Sequence, residues 1–224
     1  MGDNLTEDQL TKTFMLAAGL AAMTAIAPAA AAAQAQSGFR ADIHVGLDEV
    51  SAHQRTDVGT SGATTRDKDD GVIYGGEIGY DHSFGGFTLG AYAGVAASSI
   101  KECAEVFTGV ETCAKVGRNI TLGVRGGVNV TPAVLLYAKG GYSNGQTKLN
   151  YIDHVTPANS FGVSEEMDGW HIGAGVQVSL MANVYAKLEY VRTDYNDYAL
   201  KQGTATIRGG IDRDNVLLGV GMRF

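Results

Sequence analysis

Beyond its first few dozen residues, this 224-residue chain has no apolar run approaching the ~20 residues that a membrane helix requires. Proline is rare, at 3, charged residues make up only 18 %, and there is no basic excess, since the formal net charge is −7. A nucleic-acid-binding surface would be basic, so that class of partner is excluded. Hydropathy alone reads such a chain as soluble, yet the alternating strands of a transmembrane barrel average out in the same way. Metal and nucleotide chemistry also lack their residues. The only cysteines, Cys103 and Cys113, have no histidine near them in sequence, which argues against zinc. Asp67, Asp69 and Asp70 do not keep the spacing of a calcium loop, and no bidentate glutamate closes the run, so they read as a solvated loop. The pairs Gly173/Gly175 and Gly219/Gly221 lack the third glycine and following helix of a nucleotide loop. No cofactor and no metal are expected.

Glycine, at 31, and tyrosine, at 10, are abundant instead. The last ten residues, Asn215–Phe224, alternate strictly: Val216, Leu218, Val220, Met222 and Phe224 fall on one face and Asn215, Leu217, Gly219, Gly221 and Arg223 on the other. An apolar strand left as an unpaired edge would invite aggregation. Pairing it with the first strand of a barrel removes that edge.

The same period recurs upstream. Strands are predicted over about Phe39–Glu49, Gly71–Asp81, Phe87–Ser98, Asn119–Asn129, Val134–Asn144, Gly169–Leu180 and Val184–Tyr195. With the last, that makes about eight strands of the length that crosses a bilayer at a tilt. The segments between them run long, short, long, short, long, short, long. Ser51–Asp70, Ser99–Gly117, Gly145–Asp168 and Asn196–Arg213 are the long ones and read as loops. This is the rhythm of an all-β, eight-stranded, antiparallel up-and-down transmembrane barrel, with short periplasmic turns and long outer loops. A soluble barrel would reverse the faces and enclose the bulk. Here the other face holds Arg, Lys, Glu, Asp and Gln among many glycines, which could not form a dry core.

Counted from the periplasmic ends, Asp42, His44, Glu77, Arg125, Lys139, Lys187 and Glu189 point inward near mid-strand, with Tyr92 and Tyr137 narrowing the tube. A lumen this small is filled by its own side chains, and charges placed in it must pair. The reading favoured is a mixed-charge plug; the alternative is a gate that opens a water path by exchanging partners. On the outward face, Phe39, Tyr80, Phe87 and Phe224 fall at the periplasmic ends and Tyr74, Trp170 and Tyr190 at the outer ends, as two aromatic girdles. Cys103 and Cys113 share one outer loop and read as a disulfide in an oxidising compartment.

The N-terminus is separate. Phe14–Ala27 has the length and apolarity of a signal-peptide core, and small residues follow it, so residues 1–35 read as an export signal cleaved after Ala33 or Ala35. The n-region departs from the usual pattern, with Asp3, Glu7 and Asp8 outweighing Lys12. Residues 36–224 are then the barrel domain.

The order of these segments, with Tyr137–Ser143 (YAKGGYS), Ala186–Tyr195 (AKLEYVRTDY) and the terminal MRF, resembles the outer-membrane β-barrel proteins of OmpA-like and opacity type across about 38–224. The resemblance implies residence in the bacterial outer membrane, lumen-facing roles for Lys139 and Glu189, and an assembly signal in Val220, Met222 and Phe224. It implies as partners the membrane lipid and lipopolysaccharide, the periplasmic chaperones and the barrel-assembly machinery. A basic residue that often follows two places after that glutamate is Val191 here. No periplasmic peptidoglycan-binding domain of the kind found in the longer OmpA proteins is expected after the eighth strand. The function expected is that of an integral, monomeric barrel with a structural or porin-like role and outer loops free for contacts, without a catalytic centre. The rival from another class is a lipid A-modifying acyl hydrolase; no His-x-Ser pattern on an outward face supplies its residues, although a triad can be assembled from distant strands.

Overall fold

The computed structural model describes residues 37–58, 61–107, 110–153, 161–196, 198–202 and 205–224. The expected export signal, with Ala33 and Ala35, lies outside the described residues. The remainder is strand: β1 (Gly38–Val58), β2 (Ser61–Phe84), β3 (Phe87–Ser98), β4 (Lys101–Phe107), β5 (Val110–Thr131), β6 (Val134–Asp153), β7 (Phe161–Ser179), β8 (Val184–Tyr195), β9 (Tyr198–Gln202) and β10 (Ala205–Arg223). Each pairs antiparallel with its neighbour, and β10 pairs with β1 from Arg223↔Arg40 to Ala205↔Val58, which closes the ring. β4 prolongs β3 and β9 prolongs β8, so the barrel wall has eight staves.

The outward face of the wall is apolar over one band. On β1, Ile43, Val45 and Leu47 are half or more exposed, and Glu49 follows on the same face. From Phe39 to Leu47 the strand rises ~3.3 Å per residue; tilted by about 40°, that span covers about 20 Å of the ~25 Å apolar band of such barrels. Inward positions of the same strands are buried, Arg40, Asp42 and Asp48 among them.

The lumen is narrow, and glycine makes room in it. A Cβ on Gly175 would lie 2.7 Å from the ring of Tyr137, its direct cross-strand neighbour. Gly221 meets Tyr185 and Gly123 meets Tyr92 in the same way. Three tyrosines therefore lie flat across glycines on the adjoining strand, and much of the glycine content serves this packing.

The four long connections differ from expectation. The sequence pattern predicts loops there, yet most of their length is strand: β1 runs to Val58, β2 starts at Ser61, β5 at Val110, β7 at Phe161 and β10 at Ala205. Outside the membrane both faces of a ribbon meet water, so polar residues sit on both and the period-two signal disappears. Cys103 and Cys113 lie directly opposite each other on β4 and β5 and are joined by a disulfide.

Gly175→Leu is expected to drive into the Tyr137 ring and destabilise the barrel by about 1–3 kcal/mol, the usual cost of overpacking. The measurement is the urea midpoint at which the compact, unboiled gel band gives way to the unfolded one.

Candidate functional site: a lumen closed in layers

Four layers of side chains fill the tube from the periplasmic side upward. At the bottom, Asp81 of β2 receives Arg125 Nε at 2.9 Å and, through its other oxygen, Arg223 Nη2 at 2.9 Å; Arg125 also donates to Gln177 at 3.2 Å. Arg40 links this layer to the next, with its Nε 3.5 Å from Asp81 and its Nη1 2.6 Å from Glu77.

The second layer is the charge belt. Lys139 Nζ donates to Glu77 at 2.6 Å and to Glu189 at 3.0 Å, and lies over the Tyr92 ring. Lys187 Nζ stands 2.7 Å from Asp42 and 4.0 Å from both Glu77 and Glu189. Tyr137 donates to Glu189 at 2.7 Å and Tyr185 to Asp42 at 2.9 Å. Each carboxylate thus has at least two donors, the condition for holding charge out of bulk water. Register sets like charge beside like, since Asp42 faces Glu77 across β1–β2 and Arg125 faces Lys139 across β5–β6, so Lys139 and Lys187 meet their nearest carboxylates between strands that are not neighbours.

The third layer is mixed, with an apolar cluster in its wall. Ile73, Val191 and Leu217 form one buried cluster with Ala96 packed on it. A cavity of about 40 Å³ reaches from here to the belt, lined among others by His44, Glu77, Lys139 and His171. That is room for one or a few waters. His171 is held by Tyr92 on one ring nitrogen and by Ser143 Oγ at 2.8 Å on the other. His44 Nδ1 is 3.6 Å from Asp42.

The fourth layer caps the tube. Arg213 grips Asp48 with two bonds of 2.7 Å, and Asn215 and Ser98 also donate to that carboxylate. Tyr195 donates to Asn119 at 3.3 Å beside them.

Of the residues singled out from the sequence, Asp42, Glu77, Lys139, Lys187 and Glu189 meet in one network. Arg125 lies a layer below, on Asp81, and His44 a layer above. Arg40, Asp81 and Arg223 escape the count by height because they sit near strand ends and join through long arginine side chains; Asp48 and Arg213, within β1 and β10, escape it because the alternating pattern breaks off around them. Val191, which stands where a base was expected, packs against Ile73 and Leu217.

On the outer wall, Phe39 and Tyr80 pack edge to face at 5.1 Å, and Phe87 and Phe224 are exposed at the same end. Tyr74, Trp170 and Tyr190 are exposed at the other end, where Tyr142 joins them opposite Trp170. Just above, the outward face turns to charge. Tyr142 and Tyr190 donate to Asp168 and Asp214, Lys68 pairs with Glu49, Arg118 with Glu166 at 2.6 Å, and Arg192 with Asp214 at 3.1 Å. This charged collar marks the upper limit of the apolar band. Val220, Met222 and Phe224 lie on the outward face of the closing strand.

The family model described as "Outer membrane protein beta-barrel domain" matches residues 18–224. Among curated proteins, the 22 kDa outer membrane protein of Rhizobium leguminosarum bv. viciae is 33% identical over 118 residues, 52% of this chain and 50% of that protein. The 25 kDa outer-membrane immunogenic protein of Brucella abortus biovar 1 (strain 9-941) is 29% identical over 110 residues, 49% of this chain and 48% of that protein. The chain thus spans about half the length of the curated relatives it matches. Among solved structures, a major outer membrane protein from Thermus thermophilus aligns at 12% identity and TM-score 0.48, over 80% of this chain and 99% of that one. The attachment invasion locus protein of Yersinia pestis aligns at 16% identity and TM-score 0.43, over 84% of this chain and 100% of that one.

Lys139→Ala leaves Glu77 and Glu189 facing each other without their shared cation and is expected to cost about 3–5 kcal/mol, as for other broken buried pairs. Lys139→Met combined with Glu189→Gln restores charge balance and should recover most of that loss. Urea unfolding in micelles measures both; equal stability of wild type and Lys139→Ala would show that the belt does not hold the barrel together.

Proposed function

The chain belongs to the outer-membrane β-barrel domain family and resides in the bacterial outer membrane, and from that premise we propose that it works there as a closed, non-conducting, non-catalytic barrel that carries an outer sheet for contacts. The layered lumen is the observation that supports this most directly. A solute would have to pass the Asp48–Arg213 cap, the Ile73–Val191–Leu217 cluster, the belt and the Asp81 cluster in turn. Salt-bridged layers alone could exchange partners, but the Ile73–Val191–Leu217 cluster between two charged layers adds an apolar wall to the path and leaves room for no more than a few waters. This weighs against the gated-pore reading.

In this reading residues 1–35 direct export and are removed, and the outward Val220, Met222 and Phe224 serve recognition by chaperones and the assembly machinery. The aromatic girdles and charged collar seat the barrel, as a monomer, among lipid and lipopolysaccharide. The acyl-hydrolase alternative gains no support from His44 and His171, which lie inside the lumen on Asp42 and on Tyr92 and Ser143, away from the lipid face; the outward His82 packs its ring edge-on against Phe84 at the periplasmic end.

The test is single-channel recording in a planar bilayer on refolded protein shown to be heat-modifiable on gels. Wild type and Lys139→Ala are both expected to be silent, because the apolar cluster and the cap remain when the belt is cut. Discrete conductance steps in wild type would overturn the closed-barrel reading in favour of a pore, and steps only in Lys139→Ala would make the belt its gate.

A further inference from the structure

Closure of the ring is confined to the membrane. β2 pairs with β3 only from Phe84↔Phe87 up to Ile73↔Ser98, and β7 pairs with β8 only up to Gly169↔Tyr195. Above those points β4 pairs with β5 alone and β9 with β10 alone. The wall therefore splits along two seams into two four-stranded leaves, β9-β10-β1-β2 and β4-β5-β6-β7. Each leaf ends in strands whose outer backbone edge has no partner among the described residues.

The edge of β7, Phe161–Asp168, differs from the other edges. Natural proteins blunt exposed edges with lysine, proline, a bulge or brevity. β4 and β9 are short, and β4 is tied to β5 by the Cys103–Cys113 disulfide. The β2 edge carries Lys68 among its acids. The β7 edge holds no lysine and no proline, and its register on β6 is unbroken from Val178 to Phe161, so its acids are the one such device it carries. The bond from Asn196 N to the carbonyl of Asp168 shows which way its peptide groups point. By alternation, Gly162, Ser164 and Glu166 also turn their N–H and C=O toward the open seam, while the residues between them bond β6.

The side chains along this edge are equally directed. Phe161 and Val163, 62% and 45% exposed, stand beside Tyr151 and Leu149 of β6, with Tyr151 stacked on Phe161 at 5.1 Å. They continue the parity of Gly169 and His171, so this apolar strip is on the inner face of the leaf. The charged residues of the edge strand itself, Glu165, Glu166 and Asp168, are all acidic, with Arg118 of β5 paired to Glu166. Two copies aligned edge to edge would bring acids against acids, which is destabilising, so a second copy of this chain is disfavoured as the occupant.

We propose that the β7 edge is a docking site for an extended, basic segment of another protein, which adds to the leaf as a further strand. The segment's backbone takes the free groups of Gly162, Ser164 and Glu166. Its alternate apolar side chains lie on the Phe161–Val163 strip, and its lysines or arginines, on the other face, meet Glu166 and Asp168. Strand addition of this kind draws affinity from main-chain hydrogen bonds and selectivity from alternate side chains. The proposal rests on the reading of the outer sheet as a contact surface.

The experiment uses the refolded barrel in lipid nanodiscs and a fluorescent peptide of about eight residues in which lysine and valine alternate, followed by anisotropy. Two control peptides have glutamate in place of lysine, or N-methyl groups on alternate amides. Binding of the lysine peptide alone is expected. Ser164→Pro removes an amide that points into the seam and leaves the ladder to β6 whole, and should weaken binding roughly tenfold, the effect of about one hydrogen bond; Ser164→Ala should not. Equal binding of the N-methylated peptide would overturn strand addition and leave only attraction between opposite charges. Unchanged binding by a heat-modifiable Ser164→Pro barrel would do the same. Failure of the lysine peptide to bind a folded, electrically silent wild type would sink this proposal while leaving the closed barrel standing, whereas conductance with intact peptide binding would do the reverse.

Discussion

In hydrocarbon a peptide N–H or C=O has no water to bond, and each one left alone costs several kcal/mol. The pairing of β10 with β1 answers that constraint for the whole wall, since it turns the two strands that would otherwise be edges into neighbours. Everything inside the tube follows from closing it with so few staves. The lumen is too tight for bulk water, so each inward residue must be small, apolar or provided with partners.

The chain uses all three solutions, sorted by height. Glycines opposite Tyr92, Tyr137 and Tyr185 let aromatic rings lie across the tube, and those hydroxyls or rings then meet the belt. Arginine does the longer-range work. Arg40 contacts Asp42, Glu77 and Asp81, so one side chain ties the two lower layers together, as a planar guanidinium with several fixed donors can and a lysine cannot. Val191 is the informative departure. With a valine close after Glu189, the position packs with Ile73 and Leu217 and sets an apolar cluster into a lumen otherwise closed by polar and charged groups. The belt draws no cation from that position, and Lys139 and Lys187 between them face Glu77 and Glu189.

The barrel wall is legible in the sequence because lipid enforces alternation: Phe39–Leu47 shows it at every position, and Val216–Phe224 at all but the inward Leu217. The belt is legible in part, because Asp42, Glu77, Lys139, Lys187 and Glu189 stand near mid-strand, where counting residues locates them well. Arg40, Asp81 and Arg223 lie at strand ends, where alternation places the face but not the reach of a long side chain. Asp48 and Arg213 fall, by pattern, at the boundary of a strand and in a connection, since the sequence around them turns polar on both faces. For the same reason the outer ribbons read as loops. Water imposes no face on them, and only their cross-strand partners, such as Tyr151 with Phe161, disclose that they are sheet.

The point at which the wall divides carries the same physics in reverse. Pairing of β2 with β3 ends beside Val72, and Lys68, Asp70 and Glu49 of the collar begin within a few residues of it. Pairing of β7 with β8 ends at Gly169, next to Asp168, which takes the hydroxyl of Tyr142 at the aromatic girdle. Both seams therefore open where the outward face changes from hydrocarbon to charge. Below that level an open seam would bury unbonded peptide groups in lipid; above it water can serve them, and the penalty for an open edge falls away. What remains above the collar is the ordinary hazard of an exposed strand, and the acids of β7 oppose pairing with a like edge while leaving its backbone accessible to a strand of opposite charge. The membrane thus fixes how far the ring must stay closed, and the residues beyond that height are released to present an edge.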